Sequence, residues 1–203
     1  MSMSIKKELS IRKFTTADLH LGHGKIRNYE SLRAKFSSVE EMDNYLIKRW
    51  NSVVSPIDHV YLLGDVSFHD DEKTKELIDQ MNGVKHLILG NHDKDRSWPK
   101  WIKCGFASVQ SELILQAAKD LRLKFSHYPY VGDNANEGRF LDKRPVKQEG
   151  TWLVHGHMHS KGSKFDEKNE QICVSGELWD FKPVNIDNIL ASIRKFKQKS
   201  SVT

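Results

Sequence analysis

Thiols are scarce in this chain. Its two cysteines, Cys104 and Cys173, lie far apart and form no C-x-x-C pair, which excludes a disulfide framework and a thiolate metal or redox motif and fits a reducing, cytoplasmic setting. Long apolar runs are missing too. None approaches the ~20 residues that span a bilayer, and MSMSIKKELSIRKF at the N-terminus has no apolar stretch behind its lysines, so neither a membrane partner nor a signal peptide is expected. A charge of one sign is also absent from the body. The net charge is +5, but residues 1–13 and 191–203 carry +3 and +4 of it, leaving −2 between them. The basic pI therefore reports on the ends, and the body carries no footprint of nucleic-acid binding. Length and patterning suit one domain over 1–203, with mobile basic ends at 1–10 and 197–203.

What the chain has is alternation of short apolar strands with amphipathic helices. Residues 11–17 read as a strand, and Ser38 with Glu41 forms a capping box for a helix to about Val53 that buries Met42, Leu46, Ile47 and Trp50. A strand at 59–63, a helix at 72–82 ended by Asn82-Gly83, and a strand at 85–89 complete a β-α-β-α-β run. Connections of that length predict a parallel sheet with helices packed on it. Further on, 107–116, 120–127, 151–155 and 171–175 read as strands joined by hairpins, followed by a helix at 187–197. Residues 131–150 are a polar loop.

Histidines and carboxylates gather where strands end. The first strand runs into Asp18-Leu19-His20, the second into Gly64-Asp65, the third into Gly90-Asn91-His92-Asp93, and later ones into His127 and His155-Gly156-His157-Met158-His159. In α/β sheets, ligands bind beyond the carboxyl ends of strands. Asp18, His20, Asp65, Asn91, His127, His157 and His159 are too many ligands for one tetrahedral site and suit two metals sharing a carboxylate. Mn²⁺ is the foremost candidate, with Fe, Zn²⁺, Ni²⁺ or Co²⁺ as alternatives. A metal pair ~3.5–4 Å apart can generate hydroxide near neutral pH and clamp the oxygens of an in-line displacement at phosphorus.

The ordered motifs D-x-H (Asp18, His20), G-D-x-x-x (Gly64, Asp65), G-N-H-D (Gly90 to Asp93), His127 and G-H-x-H (Gly156 to His159) resemble the calcineurin-like metallophosphoesterase family. Stretches around Gly22-His23, Trp50-Asn51, His127-Tyr128-Pro129 and Glu177-Leu178-Trp179-Asp180 are similar to a subgroup of small phosphoesterases. The resemblance implies a four-layer α/β/β/α sandwich and a dinuclear phosphoester hydrolase. It assigns Asp18, His20 and His159 to one metal, Asn91, His127 and His157 to the other, and Asp65 as the bridge between them. Attack by a bridging hydroxide would be assisted by His92, with Asp93 orienting it. One position departs from the family pattern: the second acid of G-D-x-x-D is Phe68 here.

No basic cluster accompanies the motifs to embrace a dianion, so a phosphodiester, such as a small nucleotide, is expected over a monoester. His23, Arg27, Tyr128 and Arg139 are candidate substrate contacts, with Trp179 as a second ring that could stack a base. The competing readings are a nuclease acting on polymers and a metal-bearing scaffold without catalysis.

Overall fold

Alternation within each strand builds the architecture. In chain order the elements are β1 (Lys13–Thr16), α1 (Val39–Asn51), β2 (His59–Leu63), α2 (Asp71–Asp79), β3 (Val84–Ile88), α3 (Trp98–Lys103) and β4 (Phe106–Gln110). There follow β5 (Leu113–Ala118), β6 (Leu121–Phe125), β7 (Thr151–His155), β8 (Gln171–Cys173), β9 (Val184–Asn185) and α4 (Ile186–Ser200). These come from a computed structural model that describes residues 10–132 and 140–200. Arg139, and residues 1–9 and 201–203 of the basic ends, lie outside the described residues.

The first sheet has the order β4-β3-β2-β1-β9, parallel throughout except at β9. In β2, Val60 and Leu62 join one buried cluster with Met42, Leu46, Trp50, Leu77, Ile78 and Trp101 of the helices. Tyr61 and Leu63 point the other way, into a second cluster with Leu123, Phe125, Trp152, Val154 and Ile172. A strand buried on both faces reads as the near-continuous apolar run seen in HVYLL. The second cluster joins the two sheets, and α4 adds Ile186, Ile189 and Ile193 to it. Two sheets with helices packed on them give the α/β/β/α sandwich that the resemblance implies.

Ser38 caps α1 by accepting from the Glu41 amide at 3.0 Å, as the capping signal predicts. The reciprocal half differs, because the Glu41 carboxylate takes the amide and hydroxyl of Ser37. Trp50, the penultimate residue of α1, is buried and donates from Nε1 to the Asn82 carbonyl at 2.9 Å.

The second half departs from the sequence expectation. Residues 107–116 are not one strand: the chain breaks at Ser111-Glu112, and β4 pairs with β3 in one sheet while β5 pairs with β6 in the other. Three polar residues, Gln110-Ser111-Glu112, separate Val109 from Leu113 at the break, and so short a polar stretch does not report a change of partner. Of the strands expected to pair as hairpins, β5 and β6 do so; β6 pairs parallel with β7, and β7 with β8. Burial on both faces accounts for it, since Lys124, Leu153 and Cys173 are as covered as Leu123, Val154 and Ile172 on the opposite face. The short α3 and the two-residue β9 were not expected, being too brief to show a period.

Replacing Trp50 by Ala empties a fully packed site and strands the Asn82 carbonyl. Denaturant titration followed by circular dichroism is expected to show a loss of ~3–5 kcal/mol.

Candidate functional site

Six strand ends converge, three from each sheet. β1 delivers Asp18 and His20, β2 Asp65, and β3 Asn91 and His92; β6 delivers His127, β7 His157 and His159, and β8 Ser175. Beyond their last residues the two sheets touch. Ala17 bridges Ser175 in parallel, its amide donating to the Val174 carbonyl at 3.1 Å and its carbonyl accepting from Gly176 at 3.2 Å.

Asp18 is wholly buried at this seam. Its carboxylate accepts from the Ser175 hydroxyl at 2.6 Å and from the His157 amide at 3.0 and 3.2 Å. Nine non-glycine residues among those described have left-handed backbones, and five of them are Asp18, His20, Asp65, His157 and His159. Such conformations cost ~1–3 kcal/mol each and persist where surrounding structure over-determines them. The glycines of the motifs make room for the turns. A Cβ on Gly64, itself at φ +81°, would fall 2.5 Å from the Gly90 amide, and one on Gly90 would strike the Asp65 carboxylate.

One donor atom each from Asp18, His20 and His159 lies within 4.8 Å of the other two, and the same holds for Asp18, Asp65 and His127. Asp65 Oδ2 stands between the groups, 3.4 Å from His20 Nε2 and 3.6 Å from His127 Nε2. Asn91 Oδ1 is 2.9 Å and His157 Nδ1 3.2 Å from the same His127 nitrogen. Asp65 therefore lies between His20 and His127, and Asp18 belongs to both groups of close-set donor atoms.

Electrostatics argue that this cluster fits a cation. His127 Nδ1 donates to the Leu63 carbonyl at 2.8 Å, so in the neutral ring Nε2 offers a lone pair. Around that nitrogen lie the Asp65 and Asn91 oxygens, which are acceptors as well. Lone pairs facing one another need a proton or a metal between them. Burial lowers the pKa of His127, but Asp65 and Asp18 outweigh it and raise the net value, while Asp65 itself is held far below the ordinary range. Among the described residues His20 Nε2 is buried without a hydrogen-bond partner, 3.4 Å from Asp65 Oδ2. Carboxylates, an amide and imidazoles with no thiolate suit Mn²⁺, Fe or Zn²⁺.

A buried pair that the sequence reading passed over holds His159. Arg33, fully buried, donates from Nε to Glu177 Oε1 at 2.6 Å, and that oxygen accepts from His159 Nδ1 at 3.1 Å. Arg33 also donates to the carbonyls of Leu19 and Asp18 at 2.8 and 2.6 Å. Burial raises the pKa of Glu177, but the Arg33 charge and His159 outweigh it and hold the carboxyl at about 2. An ionised acceptor keeps the proton of His159 on Nδ1 and leaves Nε2 for a metal. Glu177 stands in the E-L-W-D stretch noted above; Arg33 sits in a polar loop with no local pattern to single it out.

Other candidates take different places. Asp93 does not orient the His92 ring: its buried carboxylate accepts the amides of Asp65 and Gly90 at 2.8 Å and of Val66 at 3.0 Å, tying the ends of β2 and β3 together. His92 is exposed, and its amide donates to Asp65 Oδ1 at 2.9 Å. His23 is half-buried with Nδ1 3.1 Å from His20 Nδ1, and burial, with the neighbouring His20 and His92, lowers its pKa to about 4. Arg27 donates to the carbonyls of Gly24 and Phe36 and so braces its own loop. Tyr128 packs 5.0 Å from His127 and 5.3 Å from His157. Trp179 is a core wall, donating to the Cys173 carbonyl at 2.8 Å and packing against Phe165. Phe68, in place of an acid, stacks on His20 and His23.

Glu177→Gln removes the ionised acceptor and leaves Arg33 uncompensated. Calorimetric titration with Mn²⁺ is expected to show affinity lowered ~10–100-fold. Asp93→Ala orphans three buried amides; thermal and denaturant unfolding are expected to show a loss of ~2 kcal/mol or more, which an orienter of the exposed His92 ring would not produce.

A family model described as calcineurin-like phosphoesterase matches residues 14–198. Gene 66 protein of Mycobacterium phage L5 is 35% identical over 164 residues, spanning 71% of this chain and 76% of that protein. An uncharacterized protein of Methanocaldococcus jannaschii is 32% identical over 198 residues, spanning 93% and 96%. Among solved structures, a protein of unknown function from Aquifex aeolicus superposes with a TM-score of 0.69 at 25% identity, covering 91% of this chain and 100% of that one. With that match running from β1 to near the end of α4, the chain belongs to the calcineurin-like phosphoesterase family.

Proposed function

We propose that the protein is a dinuclear metal-dependent phosphodiesterase. The observation that carries this reading is the placement of Asp65 Oδ2 between His20 and His127, with Asp18 and His159 on one side and Asn91 and His157 close to His127 on the other. In the proposed assignment Asp18, His20 and His159 hold one ion, Asn91, His127 and His157 the other, and Asp65 both. The ions, when bound, supply Lewis acidity toward phosphoryl oxygens and lower the pKa of the attacking water.

The remaining work falls to the chain. The Leu63 carbonyl and the Glu177 carboxylate set the tautomers of His127 and His159, so each presents a lone pair without rearrangement. Asp93 fixes the Asp65 and Gly90 backbones, and through them the separation of the two ligand groups. His92 is exposed at the cluster and donates a proton to the departing oxygen. The guanidiniums near the site are engaged: Arg33 with Glu177, Arg27 with carbonyls, and Arg96 with Asp71 at 2.6 Å. A monoester dianion would need a free cationic fork, so their engagement supports a diester monoanion.

The test is hydrolysis of bis-p-nitrophenyl phosphate by metal-stripped protein with Mn²⁺ restored, beside His92→Ala. Activity is expected to require metal, at a stoichiometry of about two, and kcat of the variant to fall ~10²–10⁴-fold with metal still bound. Turnover by the metal-free protein, or a large preference for p-nitrophenyl phosphate, overturns the reading.

A further inference from the structure

Two clefts open beside the ligand cluster, and they share no lining residue. One, of about 260 Å³, is lined by Phe68, His92, Arg96 and Trp101 among others. The other, of about 400 Å³, is lined by Asn91, Lys94, Tyr128 and Phe140 among others. Asn91 and His92 are consecutive, one to each cleft, and both abut the cluster, Asn91 through His127 and His92 through Asp65. A phosphorus atom held at the cluster thus has a substituent leading to either side of this loop.

Each side carries an aromatic wall, set against a different half of the ligand set. Phe68, 42% exposed, lies flat on His23 with centroids 4.0 Å apart and planes 15° apart, and packs on His20 at 5.3 Å. On the far side Tyr128 rests on His127 and His157, and Phe140 is 5.4 Å from both Tyr128 and His157. Of the seven charged side chains lining the clefts, five are in ion pairs, while Lys94 and Asp95 are in none among the described residues. Arg96 is held by Asp71 and the His69 carbonyl, Lys143 by Asp142, and Glu112 by Lys124. An aromatic wall on each side suits a ring-bearing group in each cleft.

We infer that the substrate is a linear phosphodiester with a ring on each arm, the chemistry of a linkage between two nucleosides. The arm against Phe68 and His92 leaves, and the arm against Tyr128 and Phe140 is retained. Water oxygen bonds to phosphorus, and the P–O bond to the first arm breaks with its electron pair on that oxygen. The oxygen takes the proton of His92, and the proton lost by water restores the imidazole. The products are a monoester on the retained arm and an alcohol. This inference rests on the phosphodiesterase reading above.

Three esters with one leaving group test it on the Mn²⁺-loaded protein: bis-p-nitrophenyl phosphate, thymidine 5′-(p-nitrophenyl phosphate) and methyl p-nitrophenyl phosphate. The methyl ester lacks a ring on the retained arm and is expected to show KM about 10-fold or more above the other two. Phe140→Ala is expected to raise KM for the two ring-bearing esters about 10-fold more than for the methyl ester, and Phe140→Trp to restore it. Phe68→Ala is expected to raise KM for all three. Equal loss on every ester in Phe140→Ala, or a methyl ester as good as the others, overturns the two-armed substrate and leaves the phosphodiesterase reading standing. Absence of turnover on all three overturns both.

Discussion

The structure turns on the burial of one carboxylate. Asp18 lies at the seam where β1 and β8 run on to bridge the two sheets, with no solvent to satisfy its charge. Its polar atoms are taken by four separate parts of the chain. The amide donates to the Gly64 carbonyl at 3.1 Å, the carbonyl accepts from Arg33, and the carboxylate accepts from Ser175 and the His157 amide. A buried charge without partners is prohibitively costly, so these contacts require the ends of β2, β7 and β8 and the loop bearing Arg33 to meet at one point. The site is where the sandwich closes.

That closure has an electrostatic consequence. Bringing Asp18 and Asp65 together beside His127 leaves more lone pairs than protons at the centre, while Arg33 spends its charge on Glu177 behind it. Strained turns at Asp18, His20, Asp65, His157 and His159 hold the donors in place despite their mutual repulsion. A preformed cluster of this kind binds a cation without the reorganisation that a relaxed one would need, which suits chemistry that depends on fixed charge.

Legibility in the sequence followed the range of the interaction. Capping at Ser38 and the apolar run of HVYLL are local, and their sequence signals match the structure, whereas α2 ends at Asp79 with Gln80 as its cap, short of the Asn82-Gly83 stop read from the sequence. The motifs of the candidate ligands were legible because they sit at strand ends, where close approach requires a short glycine-bearing turn, as at Gly64 and Gly90. Pairing was less visible. The composition that reads 107–116 as extended cannot show that its halves enter different sheets, nor can the strands at 151–155 and 171–175 declare whether they run parallel. Asp93 next to His92 invites a local partnership, yet its carboxylate is claimed by amides 27 and 28 residues away in β2's turn.

The sequence by itself determined the β-α-β-α-β order from β1 to β3, the residue types of the candidate ligands and their order, because backbone propensity, burial period and donor chemistry are properties of short segments. Only the tertiary structure decided the parallel run of β6, β7 and β8, the bracing of Arg27, the pairing of Arg33 with Glu177 across 144 residues, and the two aromatic walls flanking the cluster. Those depend on which distant surfaces exclude water from one another. Hydrophobic burial and the pairing of buried charge are non-local, and no window of sequence contains both partners.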